Sequence, residues 1–149
     1  MKTRGPRLAV RGLILHEDKL LLVNAYPSKT SDLWCAPGGG VHTGSSLPEN
    51  LAREILEETG LRIGVEGPVL INEFHDPKSG FHQVEVFFRC HVTGGELSED
   101  WDDPAGIVVE RRFVSRTELA ELRYKPDCLA DVAWGGGPAR YDALETIVA

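Results

Sequence analysis

Two short apolar runs open the chain, Leu8–Leu15 and Leu20–Ala25, on either side of the polar stretch His16-Glu17-Asp18-Lys19. Runs of this length around a polar turn predict a β-hairpin. Pro27 to Asp32 is polar and reads as a loop, and Pro37-Gly38-Gly39-Gly40 as a backbone-permissive turn. The period then changes. Ser46-Leu47-Pro48-Glu49 has the pattern of a capping box, in which the Ser46 hydroxyl accepts from the Glu49 N–H and Glu49 reaches back. Pro48 falls in the first turn, where its missing N–H costs little. Gly60 is placed to end the helix in a left-handed cap.

Val69–His75 and Phe81–Val92 read as strands around the turn Asp76-Pro77-Lys78-Ser79-Gly80, and Glu110–Val114 as a third after the acidic stretch Glu99–Asp103. Ser115-Arg116-Thr117-Glu118 repeats the capping pattern and starts a second helix. Cys128–Trp134 reads as a further short helical turn, and the tail from Gly135 takes no assignment. Strands interleaved with two or three helices predict an α/β sandwich, as one domain over residues 1–149.

On a helical wheel at about 100° per residue, Leu47, Leu51, Ala52, Ile55 and Leu56 share one broad arc. Glu49, Asn50, Arg53 and Glu57 gather opposite. Glu58 falls inside the apolar arc and Glu54 at its edge. A solvated acidic face explains part of this pattern. Arg53 is one helical turn from both Glu49 and Glu57, and such pairs are worth ~0.2–0.5 kcal/mol each. It does not explain Glu54 and Glu58, like charges one turn apart with no cation at helical spacing. A carboxylate where burial is expected must be paired, protonated or bound to a metal. The wheel leaves both a cation site and a protonated or rim-exposed acid open. Carboxylates at Glu54, Glu57 and Glu58, with oxygen ligands only, suit a hard ion such as Mg²⁺ or Mn²⁺. Such an ion polarises a phosphoryl oxygen and lowers the pKa of a bound water, so the matching reaction class is water attack on a phosphate anhydride. The glycine run ahead of the helix is suited to bring backbone groups close to the ion or the phosphates.

Composition narrows the field without deciding it. A chain of 149 residues fits one domain, which at this size buries roughly 68–70% of its unfolded surface. Its 42% hydrophobic and 26% charged residues describe a globular rather than a disordered protein. The formal net charge of −7 argues against a broad nucleic-acid surface, which needs clustered Lys and Arg. It does not exclude an anionic small substrate beside a metal. Cys35, Cys90 and Cys128 are widely spaced, without zinc-ligand spacing, and read as free thiols in a reducing compartment. No apolar run approaches the ~18 residues of a membrane span, and no signal-type segment follows the basic start Met1–Pro6. The expected location is cytoplasmic.

These residues resemble the Nudix hydrolase family, whose signature reads G-x5-E-x7-R-E-U-x-E-E-x-G-U, with U a bulky apolar residue. Gly39, Arg53, Glu54, Ile55, Glu57, Glu58, Gly60 and Leu61 match at the right spacing. The approach Leu33-Trp34-Cys35-Ala36-Pro37-Gly38-Gly39-Gly40 is also similar. One position departs, since Ser45 stands where the family has a glutamate, usually in a supporting role. The resemblance implies an α/β/α sandwich with a mixed β-sheet. It implies hydrolysis of a nucleoside diphosphate linked to another moiety X, for instance ADP-ribose or a nucleotide sugar, a (d)NTP or a dinucleoside polyphosphate. It further implies that Glu54, Glu57 and Glu58 bind divalent metal or help activate water. Arg53 would orient the glutamates, and Gly39 could offer its carbonyl to the metal. Homodimers are common in the family.

In that family a later acid often completes the site, and Glu99, Asp100, Asp102 and Asp103 are the candidates, with Glu85 as another helper. Trp34, Phe74, Phe81 and Trp101 are candidate stacking partners for a base, against ordinary packing roles. His42, His75, His82 and His91 lack metal-like spacing and read as surface or structural residues. Pro77 lies near where ADP-ribose-cleaving members carry a proline, though its turn already accounts for it. Two other functions stand beside the enzyme: a nucleotide-binding module without turnover, motivated by Ser45, and an interaction protein whose acidic helix is only surface.

Overall fold

The apolar runs at the start of the chain pair with each other. In the computed structural model, which describes residues 5–24, 32–97 and 110–148, strand β1 (Arg7–His16) and strand β2 (Lys19–Asn24) form the expected hairpin, with Leu15 opposite Leu20. The connecting Glu17 and Asp18 both take positive φ, 52° and 63°. Two left-handed residues in succession give the turn whose twist matches a right-handed strand pair.

β1 is also the sheet's centre. Along its length it pairs in parallel with β6 (His82–Gly94), from Arg7 opposite Gln83 to Ile14 opposite Cys90. Its other edge receives β4 (Gly38–Gly40), antiparallel, with Arg11 opposite Gly38 and Val10 opposite Gly39. The expected turn at Pro37–Gly40 is therefore a strand. Its three consecutive glycines let backbone come close where side chains would collide: a Cβ on Gly38 would lie 1.9 Å from the Val10 carbonyl oxygen. Pattern reading scores such glycines as breaks, whereas here they mark close backbone approach. The two-residue strand β3 (Leu33–Trp34) precedes it.

The helix forms where its caps predict, with the Ser46 half of the capping box and the Gly60 cap in place. α1 runs Leu47–Thr59, the Ser46 hydroxyl accepts from the Glu49 N–H at 3.1 Å, and Gly60, at φ 79°, donates to the Leu56 carbonyl at 2.9 Å. β5 (Arg62–His75) begins well before the expected Val69 and pairs antiparallel with β6. Pro68 and the glycines near it hid this first half. The structure fits Pro68 between two register shifts, where a strand tolerates a residue without an N–H. β7 (Glu110–Val114) lies beside β2 as expected. The capping box at Ser115 is complete, but α2 (Arg116–Leu119) is a single turn. β8 (Arg123–Tyr124) pairs with β3, and α3 spans Leu129–Trp134. The unassigned tail supplies β9 (Arg140–Tyr141) and β10 (Glu145–Thr146), both parallel to β5.

Among the described residues the mixed sheet runs β10-β5-β6-β1-β2-β7. Alternation along the strands splits the core in two. Val10, Ile14, Leu21, Phe88 and Cys90 pack with Leu51 and Ile55 of α1. Leu13, Leu20, Leu22 and Phe87 pack with Leu119 of α2 and Leu129, Val132 and Ala133 of α3. Arg89 fixes α3 by donating to the carbonyls of Val132 (2.8 Å) and Ala133 (3.0 Å), two of the acceptors a helix C-terminus leaves open. The result is the expected α/β/α sandwich. No helix among the described residues is long and apolar enough to cross a membrane.

Candidate active site

α1 packs Leu51 and Ile55 of its apolar arc on the sheet, with Leu47 against them, while Leu56, expected in the same arc, is 42% exposed; this packing decides where its acids go. Glu58, inside that arc, is buried at 7% exposure. Its Oε2 accepts from the Gly38 N–H at 3.1 Å, a backbone donor free to face the helix because β4 carries no side chains. Arg111 of β7 donates through Nε to the Glu58 carbonyl. A cation there complements the negative end of the helix. Glu54, one turn earlier, is 15% exposed. Its carboxylate lies on the bare backbone of Gly39, where a Cβ would come within 2.6 Å of Glu54 Cδ. Glu57 is more open, at 40%.

Arg53 departs from the wheel. Its Nη1 is 3.3 Å from Glu54 Oε1 and 3.3 Å from Glu57 Oε2, and its Nη2 donates to Asn50 Oδ1 at 3.1 Å. Glu54 thus has a cation after all. The wheel compares positions one turn apart, while a long side chain ending in a planar fork also reaches its immediate neighbour. Asn50, placed on the polar side by the wheel, is fully buried. It accepts from the His42 N–H (2.9 Å) and donates to the carbonyls of Ser46 (2.8 Å) and Ser45 (3.2 Å). It ties the connection from β4 to α1, while Ser45 itself is exposed.

Gly39, Arg53, Glu54, Glu57 and Glu58 are therefore neighbours where β4 meets α1. Among the described residues no three His, Cys, Asp or Glu side chains converge tightly enough to hold a metal by themselves. The donor set nonetheless suits a hard divalent cation. It consists of carboxylate oxygens beside glycine backbone that no side chain covers, and Mg²⁺ takes few protein ligands and completes its shell with water and phosphate.

The other candidates separate cleanly. Glu99, Asp100, Trp101, Asp102 and Asp103 lie outside the described residues. Glu85 is two residues before Phe87 on β6 and so shares its face, the side of the sheet away from α1. There it accepts from Arg11 Nε at 2.6 Å and Gln83 Nε2 at 3.0 Å. Burial disfavours the Arg11 charge, but Glu85, with Cys35 and Glu58 contributing, more than restores it. Arg11 also donates to the Ala36 carbonyl at 3.1 Å, just before β4. Trp34 is core, with the Arg112 guanidinium 5.7 Å over its ring. Phe81 packs on Phe74. His82 bonds Glu73 and His91 bonds Glu66, as surface roles require.

Arg11 and Glu85 form the floor of a cavity of about 140 Å³. Asn72 joins them, and Leu33, Phe74, Pro126, Ile147 and Val148 supply apolar walls. Sequence reading missed this cavity. Its one local signal was Arg11, a charge inside the apolar run Leu8–Leu15. The ion pair that explains Arg11 depends on the β1–β6 register.

A profile of the NUDIX domain matches residues 5–131. The chain belongs to the Nudix family. Among curated Nudix relatives, an ADP-ribose pyrophosphatase of Methanocaldococcus jannaschii is 34% identical over 119 residues, covering 80% of this chain and 68% of that one. A human diphosphoinositol polyphosphate phosphohydrolase 3-alpha is 30% identical over 135 residues, covering 86% and 77%. The chain spans only 44% of the length of a third relative, YjhB of Bacillus subtilis, at 32% identity over 94 residues. A solved Nudix hydrolase of Nitrosomonas europaea superposes with a TM-score of 0.71 at 24% identity, over 86% of each chain, and shares the fold.

Proposed function

We propose that the protein is a divalent-metal-dependent pyrophosphohydrolase that cleaves a nucleoside diphosphate linked to a further moiety X. One observation carries this reading: Glu58, buried, and Glu54, nearly so, both lie against backbone stripped of side chains at Gly38 and Gly39. A fold that only needed a solvated acidic helix would have no use for either. Glu54, Glu57 and Glu58, with the Gly39 carbonyl, would hold Mg²⁺ or Mn²⁺. When bound, such an ion polarises a phosphoryl oxygen and acidifies a water.

The chain's own residues do the positioning. The Gly38 N–H holds the Glu58 carboxylate in place. Arg53 sets the spacing of Glu54 and Glu57 and offsets their mutual repulsion. The side-chain-free strand leaves room for an anionic diphosphate close to backbone. Arg11 stands opposite Gly38 on β1 and its charge is favoured in part by Glu58, so the cavity floor and the acids lie on either side of one β1–β4 seam. Mixed apolar walls and a polar floor suit an organic group with a hydrogen-bonding edge, and X or the nucleoside is assigned there. ADP-ribose or another nucleotide sugar, a (d)NTP, or a dinucleoside polyphosphate all carry such a group.

Ser45 favours a second reading, a nucleotide-binding module with weak or no turnover. Phosphate-bond cleavage measured over a panel of these substrates, with and without Mg²⁺ or Mn²⁺, separates the two. Metal-dependent turnover of at least one substrate is expected. Tight nucleotide binding without product under any metal would establish the second reading instead.

A further inference from the structure

The outer wall of the cavity is built by the last residues of the chain. Four neighbouring positions, Glu145 to Val148, line it. Their attachment is local. Among the described residues β10 pairs Glu145 with Phe74 and Thr146 with His75, and the Ile147 N–H donates to the His75 carbonyl at 2.8 Å. A side-chain tie among the described residues crosses from the opposite wall: Lys125 Nζ meets Glu145 Oε2 at 2.9 Å, and Asp127 Oδ1 on its own side at 3.1 Å. Lys125 follows β8, which pairs with β3, whereas Glu145 belongs to the β5 edge. The ion pair therefore sets the distance between two separately anchored sides of one opening.

The wall's chemistry points inward to a ligand. Ile147 and Val148 line the cavity while remaining 42% and 37% exposed, so apolar surface stands at its rim. Across from them the floor is polar. Glu85 Oε2 accepts from both Arg11 Nε and Gln83 Nε2. Asn72 is buried and uses its Nδ2 on Asp142, at 3.0 Å. Apolar faces above acceptor and donor atoms match a planar heterocycle, whose faces are apolar and whose edge is polar. They do not match a phosphate or a bare sugar.

We infer that the segment Glu145–Val148 is a specificity-determining wall that clamps a heterocyclic ring of the substrate over the Arg11–Glu85 floor, with the Lys125–Glu145 pair setting the admissible ring size. This rests on the reading that the cavity receives the organic part of the substrate. Removing the side chains of Ile147 and Val148 widens the site without touching the acids of α1. The loss falls on binding, which is uniform between ground and transition states, and so appears in KM.

The test compares the full chain with the Ile147→Ala/Val148→Ala double variant, Lys125→Met and Phe74→Ala, on purine and pyrimidine substrates with the same phosphate chain. The double variant is expected to raise KM for the preferred substrate about tenfold, the scale of lost apolar contacts in a pocket. Its kcat should change less than threefold, and the purine-to-pyrimidine selectivity should shrink. Lys125→Met should shift selectivity in the same direction, and melting temperatures report whether each variant is folded. If Phe74→Ala raises KM while the wall variants leave KM and selectivity unchanged, the wall is overturned and the cavity stands. If none of the variants moves KM, the cavity is not the subsite, and the inference falls with that reading.

Discussion

Gly39 is the residue at which chemistry and packing meet most closely. A Cβ there would press on the Glu54 carboxylate at 2.6 Å, whereas at Gly38 it would press on backbone at 1.9 Å. The two substitutions therefore differ in kind. Gly38→Ala must move a strand and is expected to prevent stable folding. Gly39→Ala can be accommodated by turning one side chain, so its melting temperature should stay within a few degrees while activity falls at least tenfold, because the carboxylate is displaced. A Gly39→Ala protein with full activity would show that Glu54 need not lie on that backbone. Cys90 makes a contrasting case. It is 3% exposed, and burial, with Glu66 nearby, pushes its thiol up to about 12. The thiolate is the reactive form, so Cys90 should resist alkylation at pH 8 in the folded protein and react once it is unfolded. Rapid labelling of the folded chain at Cys90 would contradict its burial.

Elements differed in how readily the sequence disclosed them. The extent of α1 was readable because its caps and its period agree, and the wheel correctly buried Glu58, but it put Asn50 outside and Leu56 inside where the structure has the reverse. The hairpin was readable because Glu17 and Asp18 interrupt two apolar runs. β4 was not, since three glycines carry no period, and its strand character comes from Ala9, Val10 and Arg11 opposite. β9 and β10 are two residues long and hold to the β5 edge through side chains far apart in sequence. There the Tyr141 hydroxyl donates to Glu73, and His82 bonds the same carboxylate. Those two bonds, Tyr141 first, hold the Glu73 carboxyl below its usual range. A depressed carboxyl stabilises the fold above its unfolded pKa of about 4.3, and that contribution is lost as pH falls through the lower folded value. Amide exchange of Asp142, which bonds the Ile71 carbonyl, should speed up below about pH 4 after correction for intrinsic rates. Glu73→Gln should remove that dependence. Exchange in the native chain that ignores pH over this range would show that Glu73 does not secure the edge.

At the scale of the molecule, the sheet divides labour between its faces. α1 and the glycine strand present acids on one side of β1. Arg11 and Glu85, which are far apart in sequence, meet on the other. The acid cluster was readable because one helix carries nearly all of it. The cavity was not, because it is assembled from β1, β3, β5, β6 and the chain end, and no local pattern announces such a convergence. The two halves are joined through β4, where Gly38 donates to Glu58 and stands opposite Arg11. An anionic diphosphate spanning that strand would place its phosphates by the acids and its organic group over the floor. This division gives separate signatures: changes in α1 should act on kcat, changes in the cavity on KM.

Steady-state kinetics of Glu58→Gln on the best substrate, with saturating Mg²⁺ or Mn²⁺, test the central claim most directly. The substitution keeps shape and removes charge. The account predicts a fall in kcat of at least about tenfold, the lower end of what a weakened metal site costs, with KM changed only a few-fold. It also predicts loss of the metal-dependent rise in melting temperature that linkage gives the native chain. Native turnover and an unchanged metal response in Glu58→Gln would contradict it.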